Sequence, residues 1–207
     1  MSLLTRLLKK QSFITKHQEI FAAVGERIAG RIEHSSISGP CLIGCYLEIP
    51  YKIYIMPGSQ YSAPDLRIEF TGKLPYTLTL QAEGLNSKLE RLIGFGKGKN
   101  IRTGIEEFDR KYAVRTTDPE KALAYFHKPE IRKTLDEISD SGSFLFRGKY
   151  AEIIIPITPQ KMSLRIRHAS EYIDPDKVVE LLHKGAFLIQ ALQESSEPFH
   201  GSGSREV

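Results

Sequence analysis

The sequence predicts an α+β fold: a largely antiparallel sheet of about seven or eight strands, packed by N-terminal, central and C-terminal helices. Three observations predict it. Over Cys41 to Gln81, and again over Ser143 to Arg167, apolar residues recur at every second position, the period of a half-buried strand. Turns rich in Gly and Pro separate these short runs, as in a meander of antiparallel strands. Helical periods gather near the start, in the middle and at the end. There is no regular alternation of strand and helix, which argues against a doubly wound nucleotide-binding sheet.

The first helix is expected over His17 to His34, where Ile20, Phe21, Val24, Ile28 and Ile32 form one stripe. Gly25 and Ala29 thin that stripe and permit close approach by another element. Ser35 to Pro40 reads as a loop. Cys41, Ile43, Cys45, Leu47 and Ile49 then alternate with Leu42, Gly44, Tyr46 and Glu48. Pro50 interrupts the run before Tyr51, Ile53 and Ile55. Leu66, Ile68 and Phe70 form the next strand, and Tyr76, Leu78 and Leu80 the one after it.

A short helix is expected at Asn86 to Ile93, then the loop GFGKGKNIRTG and a strand at Tyr112 to Thr116. Asp118 followed by Pro119 and Glu120 is a helix start, because the Asp side chain accepts from free backbone N–H groups and Pro suits the first helical position. Lys128-Pro129 restarts a second helix that runs through about Ser139. Ser143 to Arg147 and Tyr150 to Ile157 form a hairpin around Gly148-Lys149, with Pro156 marking an edge or an end. Met162, Leu164 and Ile166 give one more strand. Asp174 or Pro175 opens the last helix, with Val178, Leu181, Leu182, Leu188, Ile189 and Leu192 on its apolar face. The domain organisation is an N-terminal helical segment over 1–34, an α+β domain over 41–194 and a disordered tail over 195–207.

Composition narrows the function classes. A chain of 207 residues buries roughly 70% of its unfolded surface and needs no staples. A net charge of +4 from 29 basic and 25 acidic residues falls short of a dedicated nucleic-acid binder. Cys41 and Cys45 are the only cysteines. Four residues apart on one strand, they lie about 13 Å from each other, too far for a disulfide. Both are read as buried structural residues, in keeping with a cytoplasmic location. No run reaches the ~18 apolar residues of a membrane span. Residues 1–16 hold Arg6, Lys9, Lys10 and Lys16 with no acid, and Leu3, Leu4, Leu7 and Leu8 at helical spacing. They are read as the first turns of a helix laid on the domain, or alternatively as an anchor on an anionic membrane surface.

Few residues carry a chemical signal. In Gly94–Asn100, glycines interleave with Lys97 and Lys99, and Arg102 follows. Backbone N–H groups and cations in such a loop can cradle a phosphate. The spacing fails the Walker pattern, because Lys99 stands where glycine is required, and a surface turn is the simpler reading. Lys161, Arg165 and Arg167 share one face of a strand and form a second anion-binding candidate, or a solvated face that deters aggregation. Glu106, Glu107 and Asp109 are followed at once by Arg110 and Lys111, which points to local charge compensation. None of the six histidines has metal-ligand spacing with a carboxylate. No serine sits in a nucleophile elbow. No catalytic residue, metal or cofactor is expected.

The run Gly104-Ile105-Glu106-Glu107-Phe108-Asp109-Arg110-Lys111-Tyr112-Ala113-Val114-Arg115 continues through Asp118 to Ala122 and Phe126, and ends on Leu135 and Ile138. It resembles a pattern of uncharacterised bacterial and archaeal domains of the DUF3137 type, G-x-x-x-F-D-x-x-F/Y-x-V followed by an Asp and two helices. The resemblance implies an α+β domain without assigned chemistry and transfers no functional residue. Phe108, Tyr112 and Val114 are expected to anchor the strand to the core. The functional expectation is a non-enzymatic binding or scaffold domain, membrane-proximal through residues 1–16 or joined to a protein partner, for example by strand addition at an open sheet edge. The alternative is a small-ligand or phosphate-binding protein, or an enzyme, that uses Gly94–Asn100. Nucleic-acid binding is disfavoured.

Overall fold

The structure, a computed structural model, describes residues 18–35, 39–56, 65–71, 76–82, 98–139, 143–147, 150–156 and 173–194. It is α+β. Helical residues 18–28 (α1) lead into β1 (Arg31–Ser35), β2 (Gly39–Tyr46), β3 (Ile49–Met56), β4 (Asp65–Thr71), β5 (Leu78–Ala82) and β6 (Lys99–Ile101). Then come α2 (Glu106–Lys111), β7 (Tyr112–Thr116), α3 (Pro119–His127), α4 (Pro129–Ser139), β8 (Ser143–Arg147), β9 (Tyr150–Pro156) and α5 (Pro175–Glu194).

Among the described residues, nine strands form one antiparallel sheet in the order β1-β2-β3-β4-β9-β8-β5-β7-β6. The sequence predicts seven or eight. Two of the nine lie where no strand is expected: β1 inside the predicted first helix, and β6 inside the predicted glycine loop. The helix stripe misleads because Ile32 satisfies two periods at once. It sits four residues from Ile28, and it also pairs with Leu42 across β1 and β2. The helix stops earlier, where Ala29 adopts φ 50°. Gly30 follows without a side chain because Leu42 Cδ1 and Tyr51 Oη lie 2.7 Å from where a Cβ would stand. The predicted helix at Asn86–Ile93, the strand at Met162–Ile166 and the tail over 195–207 lie outside the described residues.

The β2–β3 hairpin turns at Leu47-Glu48 and not at Pro50. Both turn residues take left-handed backbone, φ 50° and 63°, so the two-residue turn matches the twist of its strands. Tyr46 therefore pairs with Ile49, and Pro50 with Cys45. The core face of this hairpin carries Leu42, Gly44, Tyr46, Ile49, Tyr51, Ile53 and Ile55; the outer face carries Cys41, Ile43 and Cys45. Cys41 is buried, at 3% exposure, and burial pushes its thiol up from its ordinary value. Cys45 is exposed, contrary to the expectation that both are buried, because it lies on the outer face one residue from the turn, opposite Pro50. Both cysteines are free.

The helices supply the rest of one hydrophobic core, in which Phe21, Val24 and Ile28 of α1 meet Leu66, Ile68 and Phe70 of β4 and the inner faces of α3, α4 and α5. Asp118 caps α3 by accepting from the Lys121 backbone N–H at 3.2 Å, with Pro119 at the first position. Phe108, Tyr112 and Val114 are buried as expected. The ring of Phe108 packs on Tyr112 and Phe126, with centroids 4.9 and 5.1 Å away. Tyr125 is fully buried, and its hydroxyl donates to the Leu188 carbonyl at 2.8 Å, tying α3 to α5. That burial holds its phenol protonated, well above the usual range. No helix among the described residues is long and apolar enough to cross a membrane.

Candidate functional site

Two of the predicted anion-binding residues fall together at one end of the sheet. Lys99 stands on edge strand β6 and Arg102 just after it, and both are exposed. Lys97, Arg165 and Arg167 lie outside the described residues. A half-open cleft of about 240 Å³ opens beside Arg102, lined by Asn100, Ile101, Asp109, Tyr112, Ala113 and Val114. Ligand pockets commonly measure about 300–1,000 Å³, so the cleft suits at most a small anion.

The negative group in that cleft is already engaged. Asp109 accepts from the Thr103 backbone N–H at 2.8 Å, the Thr103 hydroxyl at 2.9 Å and the Gly104 N–H at 3.0 Å. Its carboxylate thus holds the chain through Gly104, whose φ of 78° favours glycine. His127 reinforces the corner, with Nε2 2.9 Å from the Thr103 carbonyl oxygen. Arg115 reaches from β7 and donates through Nε to the Gly98 carbonyl at 2.9 Å. This is a bracing network. It supplies a fixed loop with Arg102 at its border, and no acid–base pair.

The sheet edges are poor places to add a strand. β1 exposes Arg31, Glu33 and His34, with Arg31 paired to Glu33 at 2.8 Å. β6 is three residues long and exposes Lys99 and Asn100. Short, charged edges resist pairing with another chain.

A different surface stands out at the tip of the β2–β3 hairpin. Among the described residues, Leu47 and Phe187 are the exposed large hydrophobics, at 54% and 39%. They flank one contact: the ring of Tyr46 stacks on His183 of α5, with centroids 4.6 Å apart and planes 16° from parallel. Leu47 adjoins Tyr46 in the chain. Phe187 lies one turn beyond His183 on the same side of α5. The turn that presents Leu47 is also the strained one, since two residues other than glycine hold left-handed backbone there.

Charges border this apolar patch. The exposed positions of α5 are Asp176, Glu180, His183, Phe187, Gln190 and Glu194; of the three carboxylates, Asp176 pairs with Arg27 of α1 at 3.2 Å. Lys177 and Lys184 are half-buried and pair with Glu180, at 3.0 and 2.6 Å. Lys184 also reaches Glu137 of α4 at 2.9 Å. Its hydrogen bonds hold the Glu180 and Glu137 carboxyls below their ordinary range and raise the lysine above its own. Glu48, exposed, stands beside Leu47 at the hairpin tip.

None of these tip residues was singled out by motif reasoning, though one signal lay in the pattern. Phe187 falls outside the apolar stripe of the last helix, at a position the 3.6 period assigns to solvent. Among the described residues, no group of three His, Cys, Asp or Glu side chains is placed to hold a metal ion.

No family model matches the chain. No curated protein matches it. Among solved structures, the chain is similar to the crystal structure of the mycobacterial trehalose monomycolate transport factor A, TtfA, with 7% identity and a TM-score of 0.49 over 87% of this chain and 93% of that one. A likeness at that level carries no functional reading.

Proposed function

We propose that the chain is a non-enzymatic binding module whose contact surface is the β2–β3 tip together with the outward stripe of α5. The observation that carries this reading is the convergence of Leu47 and Phe187 on the Tyr46–His183 stack. Single exposed apolar side chains are ordinary. Two of them at one spot, beside an aromatic pair and on a strained turn, are what a contact surface costs in a free protein. The engagement of Asp109, Asp118 and His127 in internal hydrogen bonds supports the same reading, since those groups hold the fold. A cytoplasmic location, with peripheral association at an anionic membrane through residues 1–16, belongs to the proposal.

Affinity capture from cells tests the reading. Proteins retained by the native chain should be lost by a Leu47→Ser/Phe187→Ser chain and kept by a Lys99→Ala/Arg102→Ala chain. The reverse pattern would favour a second reading, that the Arg102 cleft binds a small anion. The half-open cleft itself motivates that alternative. Titration calorimetry with inorganic phosphate checks it: heat that disappears with Arg102→Ala supports an anion site, and no heat at low salt rejects it.

A further inference from the structure

We propose that the outer face of β8, β5, β7 and β6 is a platform for a compact polyphosphate, a soluble molecule with at least two linked phosphoryl groups. The inference concerns the other half of the sheet from the β2–β3 tip and does not rest on the contact surface there.

The core lies on one face of the sheet, and strand register sorts the residues on the other. One row crosses four neighbouring strands. Arg147 of β8 pairs with Thr79 of β5, Thr79 with Arg115 of β7, and Arg115 with Asn100 of β6. Leu80 and Val114, next in their strands, are buried in the core, so alternation puts this row on the outer face. Thr79 and Arg115 are half-buried there, and Asn100 is exposed.

The two halves of the outer face differ in charge. On β3, β4 and β9 the signs alternate: Lys52 pairs with Glu69, Glu69 with Glu152, and Arg67 is held by Asp65 at 2.8 Å. On β8, β5, β7 and β6, no Asp or Glu occupies an outer position among the described residues. Lys99 and Arg102, both exposed, extend the basic surface at the β6 edge. The acid in the adjoining cleft, Asp109, already accepts from Thr103 and Gly104. Arg115 is also oriented. Its Nε donates to the Gly98 carbonyl at 2.9 Å, a neutral acceptor, so this contact steers the guanidinium without cancelling its charge. Gly98 comes that close because it has no side chain: at φ 121° a Cβ would stand 2.6 Å from the Thr116 carbonyl.

The donor set names the ligand class. Arginine forks bind phosphate oxygens in pairs, and Thr79 and Asn100 add a hydroxyl and an amide to the same row. Two guanidinium groups with donors between and beside them supply more than a lone carboxylate satisfies, whereas a diphosphate has charge and oxygens for both. Stacking successive nucleic-acid bases takes successive aromatic rings, and β5, β6 and β7 carry none at their described outer positions. A membrane surface calls for apolar side chains beside the cations, and those positions offer only Ala113.

Titration calorimetry of the full chain with sodium pyrophosphate tests the proposal, in about 0.1 M salt, which screens charges more than ~10 Å apart. The native chain should bind pyrophosphate more tightly than inorganic phosphate. Arg115→Gln and Arg147→Gln should each weaken binding by at least about tenfold, as expected for a lost charged hydrogen bond, and together should abolish it. Arg115→Lys should recover only part of the loss, because an ammonium group is not a fork. Lys52 stands three strands from Arg147, about 14 Å, and Lys52→Gln should leave affinity within about twofold. Unchanged urea midpoints verify the fold; should Arg115→Gln lower its midpoint, Arg147→Gln and Arg115→Lys carry the test. Absence of heat with pyrophosphate would overturn the proposal, as would binding indifferent to both arginines. Equal weakening by Lys52→Gln would mark diffuse attraction and overturn it too. Loss with Arg102→Ala but with neither Gln variant would place the anion in the cleft instead. Tighter binding to a single-stranded oligonucleotide, or to vesicles of anionic phospholipid, would give the face to another class of ligand and refute the assignment.

Discussion

Gly44 is the position where a single methyl group should be felt most sharply. It lies opposite Tyr51 across β2 and β3, and the tyrosine ring covers it. A Cβ at Gly44 would stand 2.6 Å from Tyr51 Cζ and 2.9 Å from Cε1, well inside the ~3.5–4.0 Å of favourable carbon contact. The ring has little room to retreat. Its hydroxyl donates to the Ile28 carbonyl at 3.1 Å, fixing the end of α1 on the sheet, and Gly30 abuts the same oxygen. Overpacking of this kind costs about 1–3 kcal/mol, and displacing the hydroxyl from its acceptor about 1 kcal/mol more. Replacing glycine in a strand returns about 0.5–1 kcal/mol. Gly44→Ala should therefore destabilise the fold by about 2 kcal/mol, which lowers Tm by about 4–8 °C in a chain of this length. Urea unfolding followed by circular dichroism measures it, with a shifted midpoint and an unchanged slope. In a Tyr51→Leu background the obstruction is gone, and the same substitution should cost no more than about 0.5 kcal/mol. An equal loss of about 2 kcal/mol in both backgrounds would refute the packing argument.

Tyr125→Phe should cost about 1–2 kcal/mol in the same assay, because a fully buried hydroxyl and its acceptor on α5 lose each other. Asp109→Ala should cost about 2–3 kcal/mol, since two backbone donors and the Thr103 hydroxyl lose one acceptor; amide exchange at residues 103–105 should quicken with it. The Lys184 cluster gives stability a pH dependence of definite sign. Glu180 and Glu137 titrate below their ordinary 4.5 in the folded chain, so their contribution is present above about 4.5 and is lost as pH falls through the lowered values. Lys184 titrates above its ordinary 10.5, so its contribution is complete below that pH and fades as pH rises through the raised value. Lys184→Met should flatten the acid limb of a stability–pH profile, and added salt should weaken the effect in the native chain.

Local chemistry made most of the fold legible. Asp118-Pro119 and Lys128-Pro129 punctuate α3 and α4 where the sequence places them, since proline and a capping carboxylate act within one turn of themselves. Strand β7 follows from its own alternation. The misses came where a residue answers to partners distant in the chain. Ile32 fits a helix stripe and a strand equally, and only its pairing with Leu42 decides between them. Lys99 reads as loop because three residues are too few to show a period, yet β7 recruits them as an edge strand. Pro50 looked like the break, whereas the chain turns at Leu47-Glu48, a pair with none of the usual preference for left-handed backbone. The same turn, one that local propensity would avoid, leaves Leu47 exposed beside Tyr46. The stack on His183 joins residues 137 positions apart, beyond the reach of any local signal.

The contact surface itself is tested most directly by comparing three full-length chains in one quantitative capture: native, Leu47→Ser/Phe187→Ser, and Lys99→Ala/Arg102→Ala, each shown to unfold at the same urea midpoint. Partners should be lost only with the first pair of substitutions. Partners retained by that variant, or lost only when Lys99 and Arg102 are removed, would contradict the account.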